Sequence, residues 1–72
     1  MMKDLTIKQK MVLECLNWYI QEFGFSPTFK ELSVLLHSDV ASVFQKVMIL
    51  EERGYVSQVN GKQRTLRVIK YD

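Results

Sequence analysis

Arg53, Lys62, Arg64, Arg67 and Lys70 place five cations within residues 53–71, and no Asp or Glu interrupts them. The 52 residues before them hold five Lys (Lys3, Lys8, Lys10, Lys30 and Lys46) against seven acids, so a net charge of only +2 conceals a marked asymmetry. Guanidinium and ammonium groups gathered on one short segment can neutralise a polyanion such as a nucleic-acid backbone. The same groups on a hairpin also serve as solvated charges that keep an exposed strand edge from pairing with other chains. Charge alone leaves both readings standing.

Reaction chemistry has much less to draw on. The 72 residues include one His and one Cys, and these fall on different predicted elements. There is no carboxylate pair suited to a shared pocket, no Gly-rich phosphate loop and no cluster with metal-ligand spacing. The chain is therefore expected to be no enzyme and to need neither metal nor cofactor. Cys15 has no partner for an internal disulfide and reads as a buried or half-buried thiol. With no disulfide framework, no charged-then-apolar leader and no long apolar run, the expected location is cytoplasmic, with no membrane association, compatible with a bacterial or phage protein.

The elements that must position the cations follow from periodicity and punctuation. Thr6 and Gln9 have capping-box spacing, and Val12, Leu16, Ile20 and Phe23, with Leu13 and Tyr19, make an apolar stripe up to Gly24. Pro27 holds Ser26 extended, and Thr28 with Glu31 repeats the capping box before Phe29, Leu32, Leu35 and Leu36. Ser38 or Asp39 can cap a third helix, whose expected core line is Val40, Val43, Val47 and Leu50, ending at Gly54. "YVSQV" and "RTLRVI" are β-rich and flank Asn60–Gly61, the signature of a type I′ hairpin turn. The whole chain, residues 1–72, reads as one mainly α domain with a small β-hairpin. Its helices are expected near 6–23, 28–36 and 39–53 and its hairpin near 55–69. That order, with a tight turn between the second and third helices, is a three-helix winged helix-turn-helix.

The residues "LTIKQ", "G-x-SPT-x-x-EL", "V-x-x-x-V-x-x-LEERGYV" and "R-x-L-R" occur in this order across about residues 5–69. Together they make the chain resemble the N-terminal DNA-binding domain of the LexA repressor family. The resemblance implies sequence-specific binding of double-stranded DNA and a role in transcription regulation. It carries no counterpart of the family's peptidase domain, cleavage site or catalytic Ser and Lys, so self-cleavage is not implied. The turn between the second and third helices is one residue shorter than usual and has His37 and Ser38 where the family commonly has glycine.

With Val40, Val43 and Val47 facing inward, Ser38, Asp39, Ala41, Ser42, Gln45 and Lys46 face outward on the third helix. By resemblance, Ala41, Ser42 and Gln45 match positions that read bases; an amide at residue 45 suits adenine and a methyl at residue 41 suits thymine. Backbone contacts are expected from Thr28, Lys30, Ser38, Lys46, Lys62, Arg64 and Arg67. Asp39 is the helix cap, and Phe44 either folds back beside Met48 or stands exposed. Met11, Cys15 and Trp18 form a second apolar line on the first helix, at positions 11 and 18 that are usually polar in the family. They are either an enlarged core or a face for a homodimer or protein partner. A winged domain reused as a protein-interaction module, working through this face, is the alternative function.

Overall fold

The computed structural model describes residues 4–71. Three helices, α1 (Ile7–Phe23), α2 (Phe29–Leu35) and α3 (Val40–Glu52), precede two short strands, β1 (Val56–Ser57) and β2 (Arg67–Val68). Both capping boxes form. The Thr6 hydroxyl accepts from Gln9 N–H while the Gln9 amide oxygen accepts from Thr6 N–H. Thr28 and Glu31 do the same for α2. Asp39 caps α3, its carboxylate accepting from Ser42 N–H at 3.2 Å. The chain turns through 107° between α2 and α3, within the range of about 90–120° that characterises a helix-turn-helix.

The core is one cluster. Leu5, Val12, Leu13 and Leu16 meet Leu32 of α2, Val43, Val47 and Leu50 of α3, and Tyr55, Val56 and Leu66 of the hairpin. Burying a side chain of this size stabilises the fold by about 1.5–3 kcal/mol. Three residues expected inside lie outside: Val40 is 45% exposed, Leu35 43% and Phe23 52%. A stripe at helical spacing marks a face, and each of these residues lies where that face runs past its covering element. In α2 the buried place beside Leu32 goes to Ser33, whose hydroxyl donates to the Lys30 carbonyl at 2.7 Å.

The hairpin also departs from the expectation. The strands pair in antiparallel register through Val56–Val68 and Ser57–Arg67 alone. At the tip Gly61 has φ of +78° while Asn60 stays at negative φ, and Lys62 N–H donates to the Val59 carbonyl at 3.2 Å. A positive φ at the second central position alone gives a type II-like turn, not type I′. The longer wing loop explains this, because the chain need not reverse within two residues. Thr65 braces the loop: its hydroxyl accepts from Val59 N–H at 3.0 Å and lies 3.1 Å from the Lys62 carbonyl. Among the described residues, no single helix is long and apolar enough to cross a membrane.

Candidate nucleic-acid interface

α3 is held to the body by Val43, Val47 and Leu50, so its far side is open. Ala41 and Gln45 are exposed there, while Ser42 and Lys46 are half-buried on one flank. The Lys46 ammonium donates to the Ser42 hydroxyl at 2.7 Å. Both side chains line a hollow of about 180 Å³ shared with Lys8 and Met11 of α1 and with His37 and Ser38 of the turn. Two lysines and two hydroxyls thus meet at one edge of the α3 face. Lys8 was missed by sequence reasoning, because its place beside the turn depends on how α1 crosses α3.

Phe44 and Met48 lie on the opposite flank, each 45% exposed, and Phe44 meets Phe29 edge-on with ring centroids 5.4 Å apart. Both expectations for Phe44 are thus partly met: it rests on α2 and still shows a face to solvent. With Thr28, Lys30 and residues 60–66 of the wing these rings line a trough of about 630 Å³. Lys30 and Lys62 are exposed on its walls. Thr28 N–H and Glu31 N–H are both used within the capping box.

The wing cations divide into two groups. Arg64, expected at the DNA backbone, is engaged within the protein although its side chain stays 42% exposed. It adopts φ of 57°, donates to both Glu31 oxygens at 3.0 and 2.9 Å and to the Ser26 carbonyl at 3.1 Å, and lies over the Phe25 ring at 5.3 Å. The Arg64 guanidinium and the Thr28 N–H hold the Glu31 carboxyl at about 2, far below its ordinary 4.5. Arg53 donates to the Asp4 carbonyl at 2.6 Å, and Lys70 lies over the Tyr55 ring at 4.5 Å. Of these three, Arg64 ties the hairpin to α2, Arg53 joins the end of α3 to Asp4 before α1, and Lys70 packs on Tyr55 beside β1. Lys62 and Arg67 make no ion pair among the described residues; Lys62 faces the trough, and Arg67 lies on the α1 side near Phe25 and Ile20. Local order predicts a charge but not its partner, so sequence alone grouped Arg64 with Lys62 and Arg67 as backbone contacts.

The arrangement is an exposed helix face between two cationic edges, on a 107° helix-turn-helix with a wing. The family model described as the LexA DNA-binding domain matches residues 2–65. The chain belongs to the LexA DNA-binding domain family. It is similar to the LexA repressor of Thermotoga neapolitana, 35% identical over 69 residues that are 96% of this chain and 35% of that repressor. The LexA repressors of Thermosipho africanus and Leptospira biflexa are 32% and 29% identical, again over 96% of this chain and 35% and 34% of theirs. The chain thus spans about a third of the length of the curated LexA repressors it matches.

In this LexA-type domain Met11 and Trp18 stand half exposed on the same side of α1, two turns apart, with Cys15 between them. Met11 borders the hollow beside Lys8, and Cys15 packs against the core, where burial pushes its thiol up. Trp18 joins a separate aromatic patch at the other end of α1. Its ring is 6.4 Å from Tyr19 and 5.9 Å from Phe23, and the patch continues to Phe25, Val34 and Leu35. Sequence reasoning missed this patch because Phe23 and Leu35 had been assigned to the core.

Proposed function

We propose that the domain binds double-stranded DNA sequence-specifically and acts as a small transcriptional regulator. α3 lies in the major groove and the wing follows the neighbouring backbone, the geometry by which helix-turn-helix proteins read duplexes. Bound there, the domain alters promoter access by occupying it. The observation that carries this reading is the open α3 face between the Lys8–Lys46 edge and the Lys30–Lys62 edge, on a chain of the LexA DNA-binding domain family. Ala41, Ser42 and Gln45 take the base contacts, and Thr28, Ser38 and Arg67 add backbone contacts to the four lysines. Arg64 contributes indirectly, by holding the wing. A single recognition helix covers few base pairs, so two copies occupy two half-sites of an operator.

Fluorescence anisotropy against an enriched duplex at several salt concentrations tests the proposal. Neutralising roughly four to six phosphates gives a slope of log affinity on log salt of about −4 to −5. Replacing Lys8 and Lys46 together by Ala should make that slope shallower by about 2 while leaving sequence preference intact. A slope near zero for the unaltered protein sinks the proposal.

A further inference from the structure

We infer that α3 reads an A·T-rich half-site mainly through thymine methyl groups, with Gln45 making its one bidentate hydrogen-bonded base contact. This rests on the DNA-binding reading above and names the base chemistry the domain selects. The open side of α3 carries Val40, Ala41, Phe44, Gln45 and Met48, and the three large apolar residues among them are each 45% exposed. Residues 41 to 48 cover about 10 Å of helix, enough to face about three base pairs at 3.4 Å each.

The major-groove edges of the four bases ask for different partners. Guanine shows two acceptors and is met best by Arg or Lys; cytosine shows an amino donor and is met by Asp or Glu. α3 contains no Arg, and its one Lys, Lys46, is turned to the flank where it donates to Ser42. Asp39 is spent on the Ser42 N–H, and Glu51 and Glu52 sit at the far end of the helix. No Arg, Lys or acid that would favour guanine or cytosine therefore stands on the open face, and Ser42 on its flank can meet any base without preferring one. Thymine offers a methyl group that apolar side chains can cover, and adenine offers the donor–acceptor pair that a Gln amide matches.

The apolar residues also act by exclusion. Pressing Phe44 or Met48 against a G·C edge strips water from polar base atoms and returns no hydrogen bond, which disfavours that pairing. The edge-on contact with Phe29 fixes the Phe44 ring, at centroids 5.4 Å apart and 74° between planes. The ring therefore presents its free face to the groove without having to be ordered on binding.

The test starts with selection from a random duplex library. Thymines of the enriched half-site are then replaced singly by uracil, which removes only the methyl group. An A·T-rich half-site is expected, with each contacted methyl weakening binding by about fourfold on removal. Phe44→Ala should abolish the uracil effect at one position while leaving the salt slope unchanged. A half-site dominated by G·C pairs, or uracil substitution without effect at every position, overturns the methyl readout and leaves DNA binding intact. If no sequence is enriched at all, specific DNA binding itself is overturned and the methyl readout falls with it.

Discussion

His37 carries a measurable strain. It has φ of 53°, in the left-handed region, at the residue following the C-cap Leu36 of α2. The turn closes by His37 N–H donating to the Val34 carbonyl at 3.2 Å and Ser38 N–H donating to the Ser33 carbonyl at 2.9 Å. Those two bonds are the Schellman pattern, whose left-handed residue is usually glycine. A side chain there costs about 1–2 kcal/mol through its Cβ, and glycine returns about 0.5–1 kcal/mol as extra freedom of the unfolded chain. His37→Gly should therefore stabilise the domain by about 0.5–1 kcal/mol. In a chain of 72 residues that raises Tm by about 2–8 °C. Far-UV circular dichroism during thermal unfolding measures it, with His37→Ala as the control. Alanine keeps the Cβ and removes the imidazole, so it should not stabilise. A glycine variant melting at or below the unaltered protein, or an alanine variant matching it, would refute the reasoning.

Glu31 supplies a pH dependence. Its carboxyl is held at about 2 against an ordinary 4.5, first by the Arg64 guanidinium and then by Thr28 N–H. A folded-state value below the unfolded one means the contribution is complete above pH 4.5 and is lost as pH falls toward 2. Urea midpoints measured across that window should decline, and Glu31→Gln should make the decline shallower. In the core, Leu50 is fully buried, and Leu50→Ala should cost about 2–5 kcal/mol. For a domain this small that is a large share of its stability, and the variant should be largely unfolded at 37 °C in a urea titration.

The three helices and their caps were legible because each rests on a local signal. Thr6 with Gln9 and Thr28 with Glu31 are separated by three residues, and both boxes form. The helix-turn-helix followed from the short interval between Leu36 and Asp39. What the sequence concealed was long-range. Arg64 looked like an unpaired wing cation because its partner Glu31 lies 33 residues away. Val40 and Leu35 fit helical stripes whose covering elements stop short, and periodicity carries no information about where coverage ends. Lys8 joins Lys46 only through the crossing of α1 over α3, which no spacing within either helix encodes.

The wing separates two jobs along its length. Its attachments are Arg64 to Glu31 and Ser26, Leu66 N–H to the Ser26 hydroxyl, and the two strand pairs. All of them lie outside residues 60–63, which are exposed at the tip. Insertions or exchanges at the tip can therefore reshape reach and charge toward a ligand without loosening the hinge points behind it. Ser26 is the reverse case: buried, yet joined to the wing by two hydrogen bonds. A genetic screen for lost DNA recognition would return Ser26 and Glu31 beside true contact residues. Melting curves would sort the one class from the other, since only the fastening residues lower stability along with binding.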